Sequence, residues 1–147
     1  MTSTVMSDLP YSTAVLRLAA EAHGAGRLTP PCHSHTARNP VCGDATTFDL
    51  HLDGQTVMAV AHDTKACVLT QAAASILGET LTGHSAEDIK TLREAVAGRL
   101  QGGTAPEGDF QKFAVLADVA RHPARHRCVL LPIEAALKAA EETSQGA

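Results

Sequence analysis

Hydrophobic and polar residues change their period part-way along this chain. In "ATTFDLHLDGQTVMAVAH" the alternation is by twos. Phe48, Leu50 and Leu52 are separated by polar residues, Asp53-Gly54 supplies a turn, and Val57-Met58-Ala59-Val60 returns. That is the pattern of a β-hairpin. Earlier, "YSTAVLRLAAEAHGAG" sets Val15, Leu18, Ala19 and Ala22 at helical spacing, with Gly24 or Gly26 as the stop. Between these lies "RLTPPCHSHTARNPVCGD", rich in Pro, His and Thr, which reads as loop.

After the hairpin the spacing is helical to the end. One helix begins at or just after Cys67 and stops near Gly83. A second opens with Ser85 followed three residues later by Asp88, a capping-box-like start, and carries the stripe Ile89, Leu92, Val96 and Leu100. "QGGTAPEGD" is a linker. Phe110, Phe113, Ala114 and Ala117 form another helical face, closed by Pro123. The last helix covers "CVLLPIEAALKAAEE". Proline is tolerable only in a first turn, so Pro132 places Cys128 at or just before the helix start. No internal repeat is visible. A small antiparallel sheet followed by helices is an α+β plan.

The length of 147 residues suits a single domain, with residues 1–10 a loose tail and 141–147 a fraying, solvated helix end. Aromatic residues are only 3%, so the core must be mostly Ala, Leu and Val. The net charge of -4 and the lack of a Lys/Arg cluster argue against nucleic-acid binding. No apolar run approaches a membrane span, and "MTSTVMSDLPYS" has neither the basic nor the apolar region of a signal peptide. A cytoplasmic location is therefore expected. There, Cys32, Cys42, Cys67 and Cys128 are ligands, reactive thiols or core residues rather than disulfides.

Three of these thiols have suggestive positions. Cys42 lies in a Pro/Gly turn before the first hairpin strand, Cys67 where the second strand hands over to a helix, and Cys128 at the mouth of the last helix. A helix N-terminus favours thiolate, the form that binds metal and attacks sulfur. Asp44 can add an oxygen ligand. Three sulfurs and one oxygen suit tetrahedral zinc or one corner of an iron–sulfur cluster. Spacing alone leaves the alternative of buried cysteines acting as small hydrophobes. Cys32, between Pro-Pro and His33, reads as an exposed loop thiol or an accessory ligand. His51 and His62 read as exposed or partner-satisfied strand residues. His84 and His122 read as flanks of the Ser85 cap and of Pro123, and His126 as a surface residue or a substitute ligand to Cys128.

"NPVCGD", Cys67 followed by "VLTQAAASIL", and "HPARHRC" leading into "VLLPIEAALKAA" resemble the U-type iron–sulfur assembly scaffolds: IscU, the N-terminal domain of NifU, and SufU. The resemblance runs from Tyr11 to Ala140. It implies a three-stranded sheet with helices packed on one face, the third strand coming from residues 29–40 or from the N-terminal region. It also implies that Cys42, Asp44, Cys67 and Cys128 hold iron, a transient [2Fe-2S] cluster or zinc. The implied partners are a cysteine desulfurase and recipient apoproteins or cluster carriers. Cys128 or Cys67 would accept the persulfide, in a scaffold rather than an enzyme.

Several positions depart from the IscU branch. Arg127 stands where that branch has His, a Leu-Pro-Pro-Val-type motif is missing, and there is an extra stretch around "RLQGGTAPEGD". That insertion and Arg125 resemble SufU, in which a zinc-dependent sulfur acceptor stimulates a desulfurase. "TKAC" replaces the family's Gly-x-Gly-Cys, which opens the question of the local backbone. A zinc that merely staples the fold is a third reading.

Overall fold

The hairpin forms where the alternation places it. In chain order the elements are α1 (Thr13–Glu21), β1 (His33–Asn39), β2 (Asp44–Asp53), β3 (Thr56–Lys65), α2 (Val68–Thr80) and α3 (Ala86–Leu100). A long 3₁₀ helix (Gly108–Arg121), a short one (Pro123–Arg125) and α4 (His126–Gly146) complete the chain. The computed structural model describes residues 12–40, 43–102 and 108–146, apart from the side chains of 109, 117, 118 and 142–146. The expected tail at 1–10 and most of the linker lie outside these residues.

The sheet is antiparallel with strand order β1-β2-β3. Its first strand falls in the stretch expected to be loop. His33 pairs with Leu50 and Asn39 with Asp44, so the third strand comes from within residues 29–40. The loop reading failed because β1 is an edge strand of seven residues with polar side chains and only Asn39 buried. It shows no apolar alternation to detect.

Side chains of a strand alternate between faces. Phe48, Leu50 and Thr46 are fully buried toward the helices. α4 packs on β1, β2, α2 and α3. All the buried apolar residues except Ala61 and Leu131 form one connected cluster. Between His51 and Leu52 the register slips, so that Leu50 faces Val60 but Leu52 faces Val57. Met58 is the extra residue of this bulge and is 55% exposed.

The other face of β2 carries Asp49, which is fully buried. Arg27 donates to its carboxylate through Nε at 2.7 Å and Nη2 at 3.1 Å, and the Leu28 N–H at 3.1 Å. The Ser34 hydroxyl donates as well. Burial alone would push the Asp49 pKa up, but these donors outweigh it and hold the carboxyl below its ordinary value.

The two sheet edges differ. The outer edge of β3 is met by loops: the His62 N–H donates to the Gly24 carbonyl at 2.9 Å, and the Val57 N–H to the His84 carbonyl at 2.8 Å. Among the described residues β1 has a strand neighbour on one side only.

The helices follow their sequence signals, with two corrections. Ser85 and Asp88 form the full capping box, and Ile89, Leu92, Val96 and Leu100 are all buried. The segment after the linker, however, is 3₁₀ rather than α. Its buried residues are Phe110, Phe113, Leu116 and Val119, an exact spacing of three, while Ala114 is exposed. The side chain of Ala117 lies outside those described. A 3₁₀ helix has three residues per turn, which puts that series on one line. Lys112 and Glu79 pair to tie this helix to α2. The second correction is that Pro132 lies inside α4, seventh from its start, and not in the first turn. The helix begins earlier because the Pro123–Arg125 turn feeds straight into His126. Pro132 cannot donate to the Cys128 carbonyl four residues before it. α4 runs on to Gly146, so the stretch from 141 is its C-terminal end. Among the described residues no helix is long and apolar enough to cross a membrane.

His62 is 2% exposed and belongs to the core. Its ring stacks on Phe48 with centroids 5.4 Å apart. Nε2 donates to the His23 carbonyl at 2.9 Å, and Nδ1 lies 2.9 Å from the Thr64 hydroxyl, which donates to it. The His23 carbonyl also fixes α2. A Cβ at Gly78 would come within 1.9 Å of that oxygen. Gly78→Ala is therefore expected to destabilise by roughly 1–3 kcal/mol through forced separation of the two segments. Gly98→Ala in α3, with nothing within 4 Å of the new carbon, should stabilise by about 0.5–1 kcal/mol. Thermal melts of both variants check this.

Burial holds the His62 pKa below its ordinary value, against the opposing pull of the His23 carbonyl and Asp63. The unfolded chain then binds a proton that the folded chain refuses. The stability contributed by neutral His62 is complete above about pH 6.5 and is lost progressively below it. Urea titrations at about pH 7.5 and about pH 5.5 should show a larger loss in the wild type than in His62→Gln, which cannot titrate.

Candidate metal centre

Asp44 is the first residue of β2, and Cys67 follows the end of β3. Ala45 pairs with Lys65, so the two come together at one end of the hairpin. Cys67 occupies the N-cap of α2 in an extended conformation, and its side chain makes no cap hydrogen bond. The slot usually filled by a capping Ser or Asp thus holds a thiol free to face elsewhere. Cys128 is the third residue of α4, two residues later in its helix than expected, and is 2% exposed.

These three residues converge. One ligand atom from each of Asp44, Cys67 and Cys128 lies within 4.8 Å of the other two. Cys128 Sγ is 4.0 Å from Asp44 Oδ2 although the residues are 84 apart in sequence. Donors bound at about 2.3 Å to one tetrahedral ion lie about 3.8 Å from each other. Two sulfurs and an oxygen at this spacing therefore suit zinc or one iron. The donors need little movement to close on an ion. Asp44 is also buried, while Cys67 is partly exposed and marks the open side.

Thr70 completes the group and was not singled out from sequence. It is fully buried, with Oγ1 3.5 Å from both Cys67 Sγ and Asp44 Oδ2. The available signal was its position three residues after Cys67, where a helix turns a side chain back toward the N-cap. Gly43 has φ +73 and its N–H donates to the Asn39 carbonyl at 2.8 Å. A side chain at Gly43 would strain the turn that aims Asp44.

Cys42, the remaining expected ligand, lies outside the described residues. The other residues weighed from sequence do not join the group. Cys32 Sγ is 3.7 Å from the Ser34 hydroxyl, on another part of the sheet. His126 Nε2 donates to the Ala120 carbonyl at 3.3 Å and faces away as a support for the 3₁₀ segment. Arg127 is exposed and lines a groove beside β1. His51 donates to the Thr29 carbonyl, and His84 pairs with Asp88. The "TKAC" sequence forms its loop without glycine. Ala22 is the one non-glycine residue with positive φ among those described, so neither Lys65 nor Ala66 is strained.

Comparison with known proteins agrees with this architecture. Residues 10–128 match the model of the NifU-like N terminal domain. The chain is 29% identical over 121 residues to the iron–sulfur cluster assembly scaffold protein IscU of Thermotoga maritima, covering 82% of this chain and 85% of that protein. It is 26% identical over 109 residues to the zinc-dependent sulfurtransferase SufU of Bacillus subtilis, covering 74% of each. The crystal structure of a nitrogen-fixing NifU-like protein (N-terminal) from Brucella abortus superposes with a TM-score of 0.91 at 29% identity, covering 97% of this chain and 99% of that one. The three-stranded sheet, the helices beside it and the match over most of its length place this chain in the NifU-like N-terminal domain family.

Proposed function

We propose that this chain is a cytoplasmic iron–sulfur cluster assembly scaffold. In this reading it takes sulfur from a cysteine desulfurase, builds a [2Fe-2S] cluster on Cys42, Asp44, Cys67 and Cys128 with an external reductant supplying the electrons that turn persulfide sulfur into sulfide, and passes it to recipient apoproteins or carriers. The convergence of two thiols and a carboxylate from three separate elements carries the proposal. The likeness to a protein named as such a scaffold supports it.

The residues suit both halves of the task. In sulfur transfer, a thiolate of Cys67 or Cys128 attacks the outer sulfur of a desulfurase persulfide. The S–S bond breaks and the desulfurase thiolate leaves. The thiol must first lose its proton, and Asp44 Oδ2, 4.0 Å from Cys128 Sγ, is an acceptor within reach, with Thr70 lying between it and Cys67. Cys67 is the more exposed thiol and faces an incoming donor. For release of the cluster, a carboxylate holds iron less tightly than a thiolate does. Asp44 is then the weak corner.

A second reading, a zinc-dependent sulfur acceptor, is favoured by Arg127 in place of a histidine and by the likeness to a protein named as a zinc-dependent sulfurtransferase. The same four residues would hold the zinc, which when bound keeps thiols ionised. Metal and acid-labile sulfide analysis of protein purified without oxygen separates the readings. Red-brown iron with sulfide supports the scaffold, and one colourless zinc per chain supports the acceptor.

After anaerobic reconstitution, Asp44→Ala should keep its visible absorption several-fold longer than wild type in the presence of a chelator, while Cys67→Ser and Cys128→Ser should form no stable cluster. Bleaching as fast as wild type in Asp44→Ala would remove the weak-corner role. Thr70→Val should weaken cobalt(II) or zinc binding by roughly tenfold or more, as loss of an outer hydrogen-bond partner does, and Thr70→Ser should restore it. Competition with a chromophoric chelator measures both.

A further inference from the structure

A groove of about 520 Å³ runs between β1 and helices α3 and α4, lined in part by His35, Thr36, Ala37 and Arg38. Side chains alternate across a strand, so four consecutive lining residues mean that β1 presents its edge to the groove and not one face. Among the described residues β1 is an edge strand with no strand beyond it. Leu131 and Leu137, both nearly fully buried, contribute an apolar floor.

The walls are cationic. Arg38, Lys90, Arg93, Arg127 and Lys138 line the groove against two carboxylates, Glu134 and Glu141. None of the five cations forms an ion pair among the described residues. The chain as a whole carries -4, so this local excess opposes the overall sign.

The geometry points to a docking site for an extended, acidic segment of a partner protein, which adds a strand to the outer edge of β1. Main-chain hydrogen bonds supply the affinity of such an arrangement, and alternate side chains supply the specificity. β1 has seven residues. A strand of matching length turns three or four side chains toward the helix layer, and acidic residues there balance the surplus of cations. Nucleic acid fits less well, because Glu134 and Glu141 lie within the groove. A second copy would set Arg38 and its neighbours against the same cations. Arg127 lines the groove next to Cys128 in sequence, so a docked segment ends beside the metal centre. The docking itself does not depend on what that centre carries.

The test uses the full chain and a fluorescein-labelled seven-residue peptide of alternating Glu and Val, read by fluorescence anisotropy at low salt. Binding should weaken as salt is added. It should fall by roughly tenfold or more in the Lys90→Glu/Arg93→Glu variant. Both residues lie on the solvent side of α3, and Lys138→Glu on α4 gives an independent check in case the first variant is misfolded. Amide exchange should slow in Thr36–Arg38 and stay unchanged in β3. Equal binding of a Lys–Val peptide, unchanged affinity in both charge variants, or unprotected β1 amides would each overturn the proposal. So would displacement by inorganic phosphate beyond the effect of chloride at equal ionic strength, which would mark a simple anion site. A β1-dependent dimer of the chain alone would show a second copy to be the occupant.

Discussion

Ala45 opposite Lys65 is the pairing on which the centre rests. It brings the start of β2 and the end of β3 to the same end of the sheet, and so sets Asp44 beside Cys67. A strand register displaced by one residue sends every side chain to the opposite face. Asp44 would then turn to the polar face and Asp49 toward the helices, and the thiols would have no carboxylate between them. Cys128 arrives from a different direction, carried by α4 as that helix lies across β1 and β2. Hairpin register and helix packing are separate demands on the sequence, and the centre exists only where both are met.

The sheet serves two environments. Toward the helices its side chains are Phe48, Leu50 and the stacked His62, and neutral imidazole is the form that this apolar layer accepts. On the reverse face a single carboxylate, Asp49, gathers Arg27, Leu28 and Ser34 from the chain preceding and including β1. A buried charge is tolerated where several donors replace its water. That cluster fastens the segment leading into β1, and thereby fixes where the edge strand begins.

Much of the fold was legible from residue pattern: the hairpin, the Ser85 cap and the stripe of α3 each have a local cause. β1 was not, because "HSHTARN" has no apolar period and draws its order from β2. The 3₁₀ segment was not, because Phe110 and Phe113 fit a spacing of three and an α-helical turn equally well, and only Leu116 and Val119 decide. The metal centre was legible only through family resemblance. Its residues are distant in sequence, and no local rule links Cys67 to Cys128. Thr70 escaped because a threonine inside an alanine-rich helix looks like any other small residue. Pro132 misled because a proline deep in a helix is costly in isolation, whereas α4 is held by packing along its length.

The bulge at Met58 acts as a phase shifter. Continuing the register of Asp53 with Thr56 without an extra residue would put Asp44, not Ala45, opposite Lys65. Cys67 would then trail its carboxylate by one residue, and Val60, His62 and Thr64 would turn from the core to the polar face. One exposed methionine near the turn thus sets the parity of the strand's far end. The hairpin has two mechanically different halves: the turn side can absorb a change of length, and the site side inherits the consequence of every one that is not absorbed.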